Sequence, residues 1–317
     1  MELIIQNEDI IYLPLVEDSI IWKTERKGYA GQLDFKVLDD GNIKIEEGNA
    51  VRFKVGDNQI FYGFIFILKH DKENIISVTA YDQLRYFKNK DTYVYTNKTA
   101  SEFIRMIADD FELRCGEIED TGFKIQSRVE ENTTLFDMVQ NALDITLENK
   151  KEMYVLYDEF GKLTLKNISS MTLDILIDEE TAENCDYTSS IDSNTYNKIK
   201  LTFDNDKTGK RDIYISQDGD NINRWGILQY FETIKEGENG KAKADALLSL
   251  YNQKTKSLSI SNAFGDVRVR AGSMIVVKLD LGDVKLNNFM VVEKCKHEFK
   301  NDEHFMDLNL RGGIFNA

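Results

Sequence analysis

Residues 48–67 read GNAVRFKVGDNQIFYGFIFI, and this stretch decides the fold class. From Val51 to Val55 apolar residues alternate with polar ones, which predicts a strand with one buried face. After the turn signal GDN at 56–58, the run from Ile60 to Ile67 is apolar on both faces, as in a strand that is covered on each side. Short strands and turn signals continue at this spacing, which indicates a small β-barrel or sandwich.

A second stretch has the same layout. Residues 272–292, GSMIVVKLDLGDVKLNNFMVV, again hold a glycine, a strand, a Gly-Asp turn and a second strand. A charged turn beside a histidine follows each stretch, His70 in the first and His297 in the second, and a closing strand comes next. Few residues are identical, so an internal duplication and a chance likeness between β-rich segments both stay open. A true duplication predicts two similar barrels per chain, and a ring with twice as many barrels as subunits.

Between these stretches the apolar period changes to that of a helix. Thr99 and Glu102 are spaced as a capping box, which predicts a helix that continues to Phe111. A second helix is predicted to start near Asn132 or Thr133. Its apolar stripe comprises Leu135, Met138, Val139, Ala142 and Leu143.

These patterns predict a mainly β protein with α+β parts. Two similar small β-barrel domains, at 1–90 and 179–317, are expected to flank a small α+β domain at 91–178. The second barrel is expected to contain an inserted helix near 241–252, because apolar residues lie on one helical face there.

Composition excludes several classes of function. The chain has 317 residues, of which 42% are hydrophobic, and a formal net charge of −15. This acidity disfavours a protein that tracks nucleic-acid phosphates, and residues 101–150 are especially acidic. No apolar run approaches the roughly 20 residues that span a bilayer. The first residues lack a signal-peptide pattern, so we expect the protein to be made and folded in the cytoplasm.

No recognised catalytic motif is present, and we expect neither enzyme activity, a cofactor nor a metal site. His297 and His304 could reach neighbouring strands of a hairpin, and the expectation is that both are surface or edge residues. Cys295 lies two residues before His297, so the two side chains share a face of a strand, but no surrounding signature supports a nucleophile pair. The three cysteines, at 115, 185 and 295, are too far apart in sequence to indicate a disulfide framework.

An aromatic segment at 224–231, RWGILQYF, admits two interpretations. It is either a loop that contacts a partner or stacks on a sugar, or a packed turn that anchors the last domain. Trp225 and Tyr230 are the side chains on which the first interpretation rests.

Several segments together resemble a known family. They include EGNAVRF at 47–53, VTAYDQLRYFKN at 78–89, DTYVY at 91–95, LYDEFGKLTL at 156–165 and HFMDLNL at 304–310. The chain is similar along nearly its whole length to the prophage tail-hub, or baseplate hub, family of contractile phage tails and phage-tail-like bacteriocins. The AYDQLRY stretch at 80–86 is the strongest element of the resemblance.

The resemblance implies a structural protein of the virion tail baseplate or of a tail-like particle. It implies a homotrimer that joins the hexameric tail tube to the trimeric spike, forms part of the central conduit, and carries two tube-like barrels per chain. Further implied partners are a lysin-motif tail protein and baseplate wedge proteins, with no sequence-specific nucleic-acid binding and no membrane insertion. A cell-wall hydrolase of the tail tip and a carbohydrate-binding module are the alternatives.

A ring of barrels needs a strand edge or an apolar flank on each barrel. The segments expected to supply these surfaces are Phe61 to Ile67 in the first barrel and Phe289 to Val292 in the second. The candidate contact residues are therefore Phe61, Phe64, Phe66, Trp225, Tyr230 and Phe289.

Overall fold

The computed structural model describes residues 1–178, 180–181, 183–205, 209–234, 239–280 and 285–312. Strands dominate, and helices lie in the middle region and within the last third of the chain. The expected fold class, mainly β with α+β parts, is confirmed. The domain boundaries near residues 90 and 178 stay a prediction.

The first region contains seven strands. They are β1 (Glu2–Asn7), β2 (Ile10–Tyr12), β3 (Val16–Glu25), β4 (Gln32–Leu38), β5 (Ala50–Val55), β6 (Asn58–His70) and β7 (Ile75–Tyr81). They lie in the order β3-β4-β7-β6-β5-β1-β2, and every neighbouring pair is antiparallel. Alternate side chains such as Leu33, Phe35 and Val37 pack into one core, as the alternation predicts.

The middle region combines helices with two small sheets. Its elements are a 3-10 turn (Gln83–Lys88), β8 (Lys90–Lys98), α1 (Ala100–Asp110), β9 (Cys115–Ile118), β10 (Ile125–Thr134), α2 (Leu135–Lys150), β11 (Tyr154–Asp158), β12 (Leu163–Asn167) and a second 3-10 turn (Ile168–Met171). β8 pairs with β10, and β11, β12 and β9 form a three-stranded sheet. Both helices bury their predicted apolar stripes in a shared core. α2 starts later than expected because β10 continues to Thr134, which is the N-cap.

The last region returns to strands around an insertion. Its elements are β13 (Thr172–Ile177), β14 (Asn184–Ser190), β15 (Lys198–Asn205), β16 (Lys210–Gln217), α3 (Gly219–Trp225), β17 (Gln229–Thr233), α4 (Gly240–Tyr251), β18 (Thr255–Phe264), β19 (Met274–Asp280), β20 (Lys285–Lys300) and β21 (Glu303–Gly312). α4 confirms the helix expected near 241–252. The insertion, β15 to α4, adds a three-stranded sheet and has its own small core.

The two outer regions repeat one strand order. It is β3-β4-β7-β6-β5-β1 in the first unit and β14-β18-β21-β20-β19-β13 in the second unit. Corresponding strands also follow one another in the same order along the chain, apart from β2 and the insertion. The units differ in one strand direction, since β1 is antiparallel to β5 whereas β13 is parallel to β19.

The same glycine turn opens the central hairpin of each unit. Gly48 and Gly272 both have positive φ, 91° and 96°, a conformation that glycine adopts without strain. The Gly48 N–H donates to the Ile65 carbonyl at 2.8 Å, and the Gly272 N–H donates to the Val292 carbonyl at 2.8 Å. In return, Ile65 and Val292 each donate to the residue after the glycine, at 2.9 Å in both units.

A β-bulge follows at the same place in both units. The pairing of β6 with β7 shifts at Phe66, and the pairing of β20 with β21 shifts at Glu293. Each bulge residue directly follows the residue that bonds to the glycine turn. Bulges are specific features of a strand pair, so strand order, turn and bulge together establish that the second unit repeats the first.

The predicted capping box closes the N-terminus of α1. Thr99 Oγ1 accepts from the Glu102 N–H at 3.2 Å, and Glu102 Oε2 accepts from the Thr99 N–H at 2.7 Å. Replacing Thr99 by alanine is expected to lower the free energy of unfolding by about 1 kcal/mol, because helix N–H groups then lose their acceptor. Urea unfolding would measure this, and Thr99→Ser is the control, since it keeps the hydroxyl. An equal loss in both variants would contradict the capping role.

Candidate functional site

The junction between the two units is made by one long strand. β20 has sixteen residues, and its first part pairs with β19 inside the second unit. Its residues 294–299 pair with β3 of the first unit, so both units belong to one 13-stranded sheet. Phe299 at its far end enters the first core and meets Phe53 edge to face, with ring centroids 5.1 Å apart.

A buried ion pair anchors this junction. Arg26 donates from Nε and Nη2 to the two Glu293 carboxylate oxygens at 2.9 and 3.0 Å, and its side chain is only 4% exposed. Arg311 lies 2.7 Å from the same carboxylate. Burial alone would raise the pKa of Glu293, but the two arginines outweigh it and hold that pKa below its usual value. The bidentate geometry fixes where β3 meets the bulge of β20.

The expected position of the histidines is wrong for His297. Its ring is fully buried and stacks on Trp22, with centroids 5.0 Å apart. His297 Nε2 lies 2.8 Å from the Val269 carbonyl, which can only accept, so Nε2 carries the proton. His297 Nδ1 then accepts from His304 Nε2 at 2.8 Å. The sequence placed these residues on a hairpin, but it could not show that β3 covers it.

The suspected contact between Cys295 and His297 exists, since Sγ lies 3.0 Å from Nε2. Both side chains are buried, and burial raises the pKa of the Cys295 thiol and lowers the pKa of His297 to about 3. A nucleophile needs the thiolate, and a general base needs a pKa near the working pH. These shifts are opposite to those of an active pair.

A second buried cluster joins three regions of the chain. Asp82 follows β7, Asp158 ends β11, and Arg270 precedes β19. Arg270 Nη2 donates to the Asp158 carbonyl at 2.9 Å, and its guanidinium lies over the Tyr157 ring at 3.9 Å from the centroid. Burial raises the pKa of Asp82 well above its ordinary value and that of Asp158 to about 6. The sequence offered no signal for this cluster, because its members are far apart.

The Asp158 shift predicts a pH dependence. The folded-state pKa, about 6, lies above the unfolded value, so the stability that protonation of Asp158 contributes is present at low pH and lost as pH rises through 6. Between pH 4 and pH 7, the wild type should therefore lose about 2 kcal/mol relative to Asp158→Asn. Denaturant unfolding of both proteins at the two pH values measures the difference. A difference that does not change with pH would contradict a raised pKa.

The candidate contacts on β6 lie on different faces. Phe61 is buried in the first core and offers no surface in the chain as described. Phe64 and Phe66 are half-buried on the outer face. Phe66 meets Tyr81 edge to face at 5.6 Å, and Arg85 lies over its ring. Phe64 and Phe66 stay predicted contacts.

The aromatic segment at 224–231 is the end of α3 followed by β17, rather than a loop or a turn alone. Trp225 is half-buried, and Tyr230 packs edge to face on Tyr196 within the insertion. Phe231 instead points outward and is 54% exposed, because neighbouring residues of a strand face opposite sides. It shares the uncovered face of this sheet with Ile213 and Ile215.

Phe289 is 51% exposed on the outer face of the second unit. Its cross-strand neighbour is Val276, which in turn lies opposite the exposed Leu176. These three residues form an apolar row across three strands. Phe289 therefore stays a predicted contact with a defined apolar surrounding.

Sequence patterns missed an exposed apolar hairpin at the other end of the sheet. Ile10, Ile11, Leu13 and Leu15 all lie on the surface, in and just after β2, which is the last strand of the sheet order. The run IIYLPL at 10–15 could have indicated this surface. It is mostly apolar, but its apolar residues do not follow the spacing of a half-buried strand or of an amphipathic helix. Large exposed apolar groups at a sheet edge mark contact surfaces.

Within the described part of the chain, no helix combines the length and apolarity required to cross a membrane. In the same residues, no three histidine, cysteine or carboxylate side chains lie close enough together to hold a metal ion.

Comparisons with known proteins agree with this architecture. The protein XkdQ of the phage-like element PBSX, from Bacillus subtilis strain 168, is 29% identical over 315 residues, which cover 96% of this chain and 94% of that protein. The crystal structure of the 43 kDa tail protein of prophage MuSo2 from Shewanella oneidensis matches 98% of both chains with a TM-score of 0.69 at 11% identity. The E. coli c3393 protein, a type VI secretion component described as similar to T4 tail proteins gp27 and gp5, matches all of this chain and 79% of its own length, with a TM-score of 0.60 at 10% identity.

The fold is thus that of prophage tail proteins, and the sequence likeness extends over nearly the whole chain. A family profile described as YQBQ-like matches residues 20–311. This range includes both units, the middle region and the insertion. The chain therefore belongs to the YQBQ-like family.

Proposed function

We propose that the chain is the structural hub of a phage tail or of a tail-like bacteriocin particle. It joins a six-fold tail tube to a three-fold spike and forms part of the central conduit. The observation that carries this proposal is the repeat of strand order, glycine turn and bulge within one chain. Three chains with two similar units each supply six similar units, which is the symmetry that such a tube requires.

The parts that are not repeated occur three times in such an assembly. They are the middle region and the insertion, β15 to α4. We assign them to the spike side, where three-fold symmetry is needed. The uncovered sheet face around Ile213, Ile215 and Phe231 is the best-defined apolar surface there. The domain limits 1–90, 91–178 and 179–317 are proposed on the same basis.

The named similarity of the c3393 protein to the T4 tail proteins gp27 and gp5 supports a place in a tail. The partners in this proposal are two further copies of the chain, the tube protein, the spike, a lysin-motif tail protein and wedge proteins. The net charge of −15 suits a conduit, because like charge keeps DNA or another polyanion from adhering to its wall. The site of action is the tail baseplate.

The proposed role is structural and not enzymatic. The buried Cys295 and His297 have pKa shifts that oppose hydrolysis, which disfavours a cell-wall hydrolase. Tyr230 is half-buried and packs against the core of the insertion, which weakens the case for a carbohydrate-binding module. A zymogram on host cell wall should show no clearing with the purified chain, and lysozyme is the positive control.

Removal of the chain from a producing bacterium tests the hub role. We expect particles, or their precursors, in which spike and tube are no longer joined, and complementation with the wild-type chain should restore them. Mass spectrometry of purified particles measures the spike content. Complete tails that carry a spike without this chain would overturn the proposal.

A further inference from the structure

Several strand edges are uncovered in the part of the chain that the structure describes, and two of them correspond to the two sides of the junction between the units. β14 is at one end of the sheet and pairs with β18 on one side only. Residues 66–70 of β6 pair with β7 on one side, while β5 covers only the earlier part of β6. An open edge exposes peptide N–H and C=O groups and invites pairing with another strand.

The repeat shows what covers such an edge. In the second unit, the corresponding part of β20, residues 294–299, is covered by β3 of the first unit. β20 corresponds to β6, and β3 corresponds to β14. The chain therefore contains one complete junction and the two unmatched halves of a second junction.

We propose that β14 of one chain pairs antiparallel with residues 66–70 of β6 in a second copy of the chain. This inter-chain seam rests on the proposed hub function and gives it an atomic contact. Each chain contributes one β14 edge and one β6 edge, so contacts run head to tail and close into a ring in which first and second units alternate.

The repeat also fixes the register of the seam. His70 corresponds to His297, because each lies five residues beyond the residue that bonds to the glycine turn. Leu258 of β18 corresponds to Leu33 of β4. Tyr187 lies opposite Leu258 and Trp22 lies opposite Leu33, so Tyr187 corresponds to Trp22. Since His297 lies opposite Trp22 within the chain, His70 should lie opposite Tyr187 of the next chain.

The side chains at these positions suit this register. Within the chain, Trp22 stacks on His297, and the seam would set another aromatic ring, Tyr187, against the exposed His70. The exposed Ile67, beside the bulge, would lie opposite Ser190, as Lys294 lies opposite Glu25 within the chain.

The seam has a contact equivalent to the ion pair of Arg26 and Glu293, but its two side chains are apolar instead of charged. Within the chain, Arg26 directly follows β3 and pairs with the bulge residue Glu293. In the seam, the residue directly after β14 is Ile191 and the bulge residue is Phe66, both half-buried in the single chain. An ionic pair is thus replaced by an apolar pair, and this contact leaves no charge unpaired.

Cysteine cross-linking of the full chain tests this register. Residues directly opposite on antiparallel strands are close enough for a disulfide. In a background with Cys115→Ser and Cys185→Ser, the pair His70→Cys with Tyr187→Cys should form covalent dimers and closed trimers under mild oxidation. The matched control is His70→Cys with Thr188→Cys, where a shift of one residue turns the second thiol to the other face. Non-reducing gels and mass photometry are the readouts.

A second test replaces the apolar pair of Ile191 and Phe66 by a pair of opposite charges. Ile191→Arg alone should abolish the trimer, because it places an unpaired charge in the seam. Ile191→Arg together with Phe66→Glu should restore it, because the pair then copies Arg26 and Glu293. Circular dichroism checks that each variant is folded.

The outcomes separate the seam from the hub function. Trimers that form without the His70–Tyr187 cross-link would overturn the seam and leave the hub proposal standing. A cross-link in a chain whose removal leaves spiked tails intact would keep the seam and overturn the hub role. A full chain that stays monomeric and uncross-linked at high concentration would overturn the seam.

Discussion

Replacing Gly63 by alanine is expected to lower the free energy of unfolding by about 3 kcal/mol or more, because the position is overpacked for any side chain. A Cβ at Gly63 would lie 2.7 Å from the Tyr81 carbonyl carbon and 2.6 Å from Phe61 Cζ, and it would press on the Tyr81 carbonyl oxygen. The backbone of β7 cannot move aside without breaking its pairing with β6. Guanidinium unfolding measures the loss.

The matched control for this substitution is Gly219→Ala. This glycine lies in the first turn of α3, and an added Cβ would meet no atom within 4 Å. Alanine is favoured in a helix, so stability should stay the same or rise slightly. A Gly63 variant as stable as this control would contradict the close approach of β6 and β7.

Replacing His297 by alanine is expected to cost about 3–5 kcal/mol of unfolding free energy, through a core cavity and lost hydrogen bonds. The change removes the stack on Trp22 and leaves the Val269 carbonyl and His304 Nε2 without their partner. Asn287→Ala is the control, since Asn287 lies in the same strand with an exposed side chain. Similar losses in both variants would contradict the junction between the units.

His297 also predicts acid sensitivity. Its folded-state pKa, about 3, lies below the unfolded value, because burial opposes the charged ring. Its contribution to stability is therefore complete above pH 6.5 and is lost as pH falls toward 3, at roughly 1.4 kcal/mol per pH unit. His297→Ala should remove this slope, which unfolding measurements between pH 4 and pH 7 would show. A slope that is unchanged in the variant would contradict the depressed pKa.

Local signals allowed the helices to be predicted from the sequence, and they left the repeat as one of two open interpretations. The capping box at Thr99 and Glu102 acts within four residues, so its sequence spacing is enough to identify the start of α1. The alternation from Val51 to Val55 and the apolar run from Ile60 to Ile67 likewise predicted β5 and β6. The likeness of residues 272–292 indicated the repeat, although only the shared turn and bulge distinguish it from chance.

Contacts between distant residues could not be predicted in this way. Nothing in residues 16–25 indicates that β3 pairs with residues 294–299, because strand partners far apart leave no local pattern. The position of His297 depends on that pairing, so it was wrongly expected near the surface. The aromatic segment that contains Tyr230 and Phe231 was evident in the sequence. The sequence did not show which of the two rings is exposed, because that depends on the register of β17 in its sheet.

The insertion between β14 and β18 was predicted only in part. α4 has a clear apolar face, but α3 is short and has no buried residue, so it leaves no periodic signal. The three-stranded sheet also pairs strands out of sequence order, since β17 is parallel to β15. Both features need tertiary contacts to be recognised.

Electron cryo-microscopy of the distal end of the assembled particle tests the central claim most directly. The account predicts three copies of this chain between tube and spike, with first and second units alternating around one pseudo-six-fold ring and β14 paired with β6 of the neighbouring copy. Six copies per ring, or three copies whose two units do not occupy equivalent positions under the tube, would contradict it.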